Sequence, residues 1–374
     1  MSIPQTSVAT RSVMLAAGGT GGHLFPAYAL AEELQRRGVT VDLVTDLRGD
    51  RYGSDFPARE VHRVPSATLA AKTPLAAAKT TWTLSRGLAH AVAVMRRVRP
   101  AAVIGFGGYP TFPPLLAAKL CKIPTALHEQ NAVLGRANRM LAKRVNVIAT
   151  SFERTSLLNG GMVRKAVYTG NPVRDIVIAA ARHPYNVPRP GGRFELLIFG
   201  GSQGARFFAD GVPPAIVSLA SDVRERIHVT QQAREEDLAR VREAYGSAGI
   251  SATVEPFFTD LPQRMAQSHL VIGRAGASTV AELTVIGRPS ILVPLPHALD
   301  NDQLQNATRL AEAGGGWAIA QRDLTPERLK REIERLARDQ AALEVAAQSA
   351  KSQGRPDAVI RLADLVEDLM SRRG

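Results

Sequence analysis

Short apolar runs alternate along this chain with longer stretches in which apolar residues recur every third or fourth position. SVMLAAG (12–18) reads as a buried strand, and YALAEELQRRG (28–38) as an amphipathic helix closed by Gly38. VTVDLVTD (39–46), AAVIGFGG (101–108), IPTALHEQ (123–130) and NVIATS (146–151) continue the strands. Apolar strands separated by helices imply a parallel sheet covered on both faces. The pattern breaks at GNPVR (170–174) and at the Pro/Gly-rich HPYNVPRPGG (183–192), then restarts. FELLIFGG (194–201), RIHVTQQ (226–232), SATVEPF (251–257), LVIGRAG (270–276) and PSILVPL (289–295) form the second series. The fold class is therefore α/β, with two units of similar size. Near the end, PDAVIRLADLVEDLM (356–370) puts Val359, Leu362, Ala363, Val366 and Leu369 on one helical face. Such a face needs a groove, and the expectation is that this helix crosses back onto the first unit.

Glycines stand where strands end. GGTGGH (18–23), GFGGYP (105–110), GGSQGA (200–205) and GRAGAST (273–279) each combine a strand end with a helix start. There backbone N–H groups can approach an anion and the helix dipole favours negative charge. One such loop is weak evidence, since turns and close packing account for most glycines. Four of them over two α/β units point to a phosphorylated ligand held beyond the carboxyl ends of the strands, in a cleft that two facing units would form. The first loop departs from the dinucleotide fingerprint: Gly19 and Gly21 fit, but Leu24 replaces the third glycine, and Asp46 alone is a poor ribose signal. No Gly-Lys-Ser/Thr follows any loop, which excludes a P-loop.

Composition narrows the classes. The chain has 374 residues, 45% hydrophobic and 22% charged, as in globular proteins of more than one domain. The single cysteine, Cys121, excludes an internal disulfide framework and a Cys-rich zinc site, and fits a reducing compartment. No apolar run is long enough to span a bilayer, and the N-terminus lacks a signal-peptide layout. A formal charge of +13 suits nucleic acid, anionic lipid or phosphorylated substrates. With aromatics at only 5% and no basic run interleaved with stacking residues, nucleic acid is the weakest of these.

Eight motifs then occur in a characteristic order: GGTGGHLFPA (18–27), GFGGYPTFPP (105–114), HEQNAVLGRAN (128–138), GNPVR (170–174), GGSQGA (200–205), PFFTDL (256–261), GRAGASTVAEL (273–283) and DNDQLQNA (300–307). In these the chain resembles the UDP-N-acetylglucosamine:undecaprenyl-pyrophosphoryl-muramyl-pentapeptide N-acetylglucosaminyltransferases, which convert lipid I to lipid II. The likeness runs from about residue 12 to the terminal helix. It implies a GT-B fold of two Rossmann-like domains, residues 1–172 with 355–374 on the acceptor and membrane side and 173–354 on the donor side. It also implies an inverting reaction and peripheral attachment to the cytoplasmic face of the bacterial inner membrane. No cofactor is expected, since helix N-termini and Arg174 can meet the leaving-group charge. The implied partners are UDP-N-acetylglucosamine, lipid I and an anionic phospholipid surface.

The same resemblance assigns roles. Thr20, Gly21 and Gly22 match the loop at the donor phosphates and acceptor pyrophosphate, and His23 matches the proposed general base. Gly107, Gly108 and Tyr109 fall on the acceptor side. Asn131 matches a donor-sugar contact, Arg174 and Ser202 contacts on the diphosphate side, and Phe258 the position whose backbone meets uracil. Ala277, Ser278, Thr279, Val280 and Ala281 cover a helix N-terminus at the diphosphate, with Glu282 matching the ribose carboxylate. Gln303 matches a sugar-binding glutamine, although the preceding position, often His or Gln in the family, is Asp302 here.

The chemistry agrees with those residue types and leaves alternatives. An imidazole supplies a neutral base near pH 7, yet a His after glycines is also a common capping or packing residue. His128 and Glu129 are rival acid/base groups. Asp300-Asn301-Asp302 has the outline of a metal-binding Asp-x-Asp pair but no third acidic ligand nearby, and reads as a loop. Glu282 could also be a solvated helix carboxylate, but its place one turn beyond GAST favours a ribose-facing role. The segment 67–97 mixes Leu69, Leu75, Trp82 and Leu84 with Lys72, Lys79, Arg86, Arg96 and Arg97. It suits an anionic membrane surface or, equally, a helix pair with basic ends. The runner-up function is another UDP-sugar GT-B transferase with a different lipid or small-molecule acceptor. From a different class, a non-catalytic nucleotide-sugar-binding protein leaves His23 and HEQN unexplained.

Overall fold

A computed structural model of the chain describes residues 11–18, 21–46, 56–67, 73–201 and 206–372. The chain divides into two compact units, Met1–Pro172 with Asp357–Gly374, and Val173–Pro356. Gly354 lies so close to the helix Ala277–Ile286 that a Cβ there would sit 2.6 Å from the Thr284 carbonyl oxygen. That approach keeps the connecting segment on the second unit as far as Pro356.

In the first unit seven strands form one sheet in the order β3-β2-β1-β4-β5-β6-β7. They are β1 (Ser12–Ala16), β2 (Thr40–Thr45), β3 (Val61–Arg63), β4 (Ala102–Gly105), β5 (Thr125–Glu129), β6 (Val147–Thr150) and β7 (Ala166–Tyr168). Every pairing is parallel, with Leu15 opposite Leu43 on one side and Ile104 on the other. Helices cover both faces, which is why β1 is buried along its whole length. Full burial of a side chain such as Leu15 or Ile104 contributes about 1.5–3 kcal/mol. Because the strands run one way, the segments after β1, β4 and β5 all emerge at the same edge.

The helix Gly21–Arg36 turns Leu24, Ala27, Leu30, Ala31 and Leu34 onto this sheet. The terminal helix Ala358–Ser371 joins the same core through Leu362, Ala363, Val366, Leu369 and Met370. It therefore does pack on the first unit. Arg37 pins the two helices together, donating to Asp364 at 2.6 Å and Glu367 at 2.7 Å while also holding Glu33.

The basic segment forms one long helix, Pro74–Val98. A Cβ on Gly87 would lie 2.1 Å from the Pro65 carbonyl oxygen, so only glycine permits the crossing. Beyond Gly87, Ala91, Val94 and Met95 enter the core. Before it, Lys79, Trp82 and Arg86 are exposed, Trp82 by 66%. Leu69, Lys72 and the Leu75 side chain lie outside the described residues.

The second unit repeats the plan with six parallel strands in the order β10-β9-β8-β11-β12-β13. These are β8 (Phe194–Phe199), β9 (Ile227–Gln232), β10 (Ser251–Glu255), β11 (Leu270–Gly273), β12 (Ser290–Leu292) and β13 (Gly316–Ala318). With its first strand central and a reversal of order beside it, each sheet has the arrangement of a nucleotide-binding Rossmann unit. β3, β7 and β13 are absent from the sequence expectation. Each has three residues, too few for a run or an alternation to register.

Arg288 is a fully buried cation in this unit, only 1% exposed and with carbonyl partners in place of a carboxylate. Its guanidinium donates to the carbonyls of Ile286 and Gly287, Ala266, His183 and Pro184. Burial pulls its pKa down to about 10. Lys351 adds a second cation, its Nζ donating to the Val285 carbonyl at 2.6 Å. Both sit at the carboxyl end of the helix Ala277–Ile286, where the dipole favours positive charge.

Candidate active site

In the first unit the site is built at the carboxyl edge of the sheet. His23 lies in the first turn of the helix that follows β1, and its ring is half-buried in a cradle of glycine backbone. A Cβ on Gly107 would lie 3.2 Å from His23 Cε1, one on Gly108 3.4 Å from Cδ2, and one on Gly18 3.4 Å from Cδ2. Gly107 and Gly108 hold φ of +89° and +77°, values that L side chains rarely adopt. The glycines after β4, read from sequence as acceptor-side residues, therefore also shape the seat of the imidazole. Tyr109 follows them in a short 3-10 turn, Tyr109–Thr111, and is half-buried.

His23 Nδ1 contacts the Gln130 amide oxygen at 3.2 Å. Burial lowers the His23 pKa, and hydrogen bonds to Gln130 and to the Phe106 backbone offset part of that fall. The neutral imidazole consequently prevails at physiological pH. His128, on β5, is completely buried, and burial takes its pKa to about 4. Its Nε2 bonds the Gly170 carbonyl at 3.0 Å.

Glu129 is engaged differently. Its carboxylate accepts the backbone N–H groups of Asn131 at 3.0 Å and Gly135 at 2.9 Å. It also accepts the Asn138 amide at 2.8 Å and the Asn131 amide at 3.3 Å. Burial raises its pKa while these donors oppose the rise. The carboxylate thus organises the 130–138 loop, and Asn131 is held half-buried by it. In this geometry Glu129 and His128 are committed to neighbours, whereas His23 keeps an edge toward the glycine loop.

In the second unit the helix Ala277–Ile286 starts after β11 with Gly276 as its N-cap and no capping side chain. The first-turn N–H groups and the dipole are thus available to an anion. The Ser278 hydroxyl is buried in that turn without a hydrogen-bond partner. Val280 packs in the core, and Ala277, Thr279 and Ala281 are half-buried. Glu282 is 7% exposed and meets Arg174 at 3.4 Å. Burial raises its pKa, with Arg174 opposing the rise. Phe258 is buried, with the Arg264 guanidinium 4.5 Å from its ring centroid. Gln303, in the first turn of the helix Asp302–Glu312, accepts the Leu295 backbone N–H at 3.0 Å. Asp300 and Asn301 adopt left-handed φ of 56° and 54°, as turn residues do.

The structure thus groups His23, Gly22, Gly107, Gly108 and the HEQN residues in one unit, and Arg174, Glu282 and the Ala277 helix in the other. Thr20 and Ser202 lie outside the described residues. Among the described residues no group of three or more His, Cys, Asp or Glu could hold a metal ion. Sequence reasoning missed Gln130, Asn138 and Arg288. For Gln130 a signal was present, since it follows His128 by two positions at the end of a strand and shares its face.

Similar proteins place this geometry. Residues 13–150 match the glycosyltransferase family 28 N-terminal domain and residues 195–362 its C-terminal domain. The UDP-N-acetylglucosamine–N-acetylmuramyl-(pentapeptide) pyrophosphoryl-undecaprenol N-acetylglucosamine transferase of Mesorhizobium japonicum is 52% identical over 361 residues, covering 96% of each chain. The enzyme of that name from Brucella suis is 52% identical over 359 residues, covering 96% of this chain and 94% of its own. A crystal structure of Acinetobacter baumannii MurG superposes with a TM-score of 0.78 at 29% identity, covering 96% of this chain and 99% of that one. A Neisseria meningitidis UDP-GlcNAc 2-epimerase, at 14% identity and TM-score 0.67 over 96% of this chain and 100% of its own, shares the fold alone. With GT-B architecture and half its residues in common with these relatives over nearly its whole length, the chain belongs to glycosyltransferase family 28, among the UDP-N-acetylglucosamine–N-acetylmuramyl-(pentapeptide) pyrophosphoryl-undecaprenol N-acetylglucosamine transferases.

Proposed function

We propose that this chain transfers N-acetylglucosamine from UDP-N-acetylglucosamine to the muramyl 4-hydroxyl of undecaprenyl-pyrophosphoryl-MurNAc-pentapeptide, converting lipid I to lipid II with inversion. The observation that carries the chemistry is the neutral, half-buried His23 imidazole seated among glycines at the carboxyl edge of a Rossmann sheet. His23 takes the hydroxyl proton as the acceptor oxygen bonds to the anomeric carbon. The bond from that carbon to the UDP oxygen breaks, and its electron pair leaves with UDP. The uncapped first turn of the Ala277–Ile286 helix and Arg174 stabilise the departing diphosphate. Glu282 accepts from the ribose, Asn131 and Gln303 contact the sugar, and the backbone at Phe258 meets the uracil. Gly107, Gly108 and Tyr109 take the acceptor side. In a radiolabel assay with a soluble lipid I analogue, transfer is expected from UDP-N-acetylglucosamine far above UDP-glucose, and from no adenine or guanine counterpart. Equal use of UDP-glucose would remove the donor assignment.

Because backbone N–H groups and an arginine meet the diphosphate charge, no metal cofactor enters this scheme. Transfer is expected to persist after exhaustive chelation with EDTA. A complete loss restored by magnesium would instead make Asp300 and Asp302 ligands.

The acceptor's polyprenyl chain stays in the bilayer, so the enzyme works at its cytoplasmic face as a peripheral protein. Among the described residues no helix is long and apolar enough to cross a membrane. The exposed stripe Lys79, Trp82 and Arg86, one helical face before Gly87, suits an anionic phospholipid surface. Each basic residue there contributes about 1 kcal/mol near an anionic leaflet. Sedimentation with anionic but not neutral liposomes is expected, weakened by salt, by Trp82→Ala and by charge reversal at Lys79 and Arg86. Unchanged liposome binding by these variants would place docking on another surface.

A further inference from the structure

We propose that Gln130, backed by His128 and the Gly170 carbonyl, is a positioning residue that fixes the neutral tautomer of His23 with its proton on Nδ1 and its lone pair on Nε2. The inference rests on the reading of His23 as the general base. It follows from a chain of hydrogen bonds in which each group can take only one part.

The chain starts at Gly170. A carbonyl can only accept, so His128 Nε2, 3.0 Å from the Gly170 oxygen, carries the proton. His128 is neutral, because complete burial takes its pKa to about 4. Its Nδ1 is therefore an acceptor, and the Gln130 amide nitrogen donates to it at 3.0 Å. The same nitrogen donates to the His128 backbone carbonyl at 3.0 Å. Turning the amide over would set its oxygen against that carbonyl oxygen and against the Nδ1 lone pair, two repulsions in place of two bonds. The amide oxygen is thus left facing His23 Nδ1 at 3.2 Å, where it can only accept. His23 must then hold its proton on Nδ1.

The consequence is directional. Nε2 is the unprotonated nitrogen, and it faces Gly108, where an added Cβ would lie 3.5 Å from it. The base therefore presents its lone pair at an edge bordered by bare backbone. Left to itself a neutral imidazole exchanges between tautomers, and the wrong one offers a donor where a proton must be accepted. No other titratable group is needed to hold it: Glu129 spends its carboxylate on the 131–138 loop, and His128 stays neutral throughout the working pH range.

The direct test is the imidazole ¹⁵N spectrum of full-length, histidine-labelled protein at pH 7.5, with His23 assigned by loss of its signals in His23→Ala. A protonated, pyrrole-type Nδ1 and a pyridine-type Nε2 are expected, and the reverse pattern overturns the inference whatever the activity. In kinetics, Gln130→Met is expected to lower kcat roughly 10- to 100-fold with little change in donor KM. Without the Gln130 hydrogen bond, which raises the His23 pKa, its acid limb also moves to lower pH. In a His23→Ala background Gln130→Met is expected to add nothing. If His23→Ala is impaired while Gln130→Met keeps a wild-type kcat and pH limb, the positioning role fails. Near-normal turnover in His23→Ala removes the base reading itself, a distinct outcome. Should Gln130→Met not fold, the wild-type spectrum still decides.

Discussion

His23→Ala is expected to lower kcat by about 10²–10⁴-fold, the usual worth of a positioned general base. Donor affinity should hardly move, because the proposed diphosphate, ribose and uracil contacts at the Ala277–Ile286 helix, Arg174, Glu282 and Phe258 stay in place, as do Asn131 and Gln303 at the sugar. The variant should also fold. A half-buried ring in a glycine cradle leaves a small, solvent-reachable gap when truncated, and carries no core packing with it. The pH profile gives a second reading. Burial lowers the His23 pKa below 6.5, so the base form persists as pH falls and activity is lost only when the ring finally protonates. The wild-type acid limb should therefore lie below pH 6.5 and disappear in the alanine variant. Retained turnover in His23→Ala would pass the base role to Glu129 or His128, against the geometry of both.

Arg288→Met is expected to cost about 3–5 kcal/mol of stability, the scale for a buried charged network that loses one member. The substitution strips donors from the carbonyls of Ala266, Ile286, Gly287, His183 and Pro184 together. At roughly 2–4 °C per kcal/mol for a domain of this size, Tm should fall by about 6–20 °C. Arg288→Lys should recover little, since an ammonium cannot span carbonyls arranged around a planar guanidinium. Donor binding should weaken alongside, because the same cation braces the end of the helix whose other end is proposed to meet the diphosphate. An unchanged melting curve would mean that water replaces the guanidinium at no cost.

Much of this architecture is written in local pattern. The strands from SVMLAAG to PSILVPL are apolar enough to be seen one by one, and Leu362, Ala363, Val366 and Leu369 announce the buried face of the last helix. The glycine loops pointed to the carboxyl edges of the sheets, and His23 could be read from the residues after them. What could not be read is whatever depends on a distant partner. The Gly170 carbonyl that orients His128 is 42 residues away, and His23 reaches Gln130 across 107. Arg288 looks like a surface arginine until the chain brings carbonyls 104 and 105 residues distant around it. Gly87 is one glycine in a helical run, and only the nearness of Pro65 explains it. The edge strands β3, β7 and β13 owe their conformation to the neighbour that pairs with them, not to their own sequence.

The return of the terminal helix to the first unit also sets the order in which the chain can be completed during synthesis. Every residue of the second unit precedes Asp357, so that unit can close before the helix Ala358–Ser371 has emerged. The first unit, although translated first, cannot. Until Leu362, Val366 and Leu369 emerge, the groove over Leu24, Leu30 and Leu34 stays open to water, with Arg37 lacking Asp364 and Glu367. The nascent chain thus carries an unfinished apolar surface until residues 358–371 have emerged, and that surface is where a chaperone would find it.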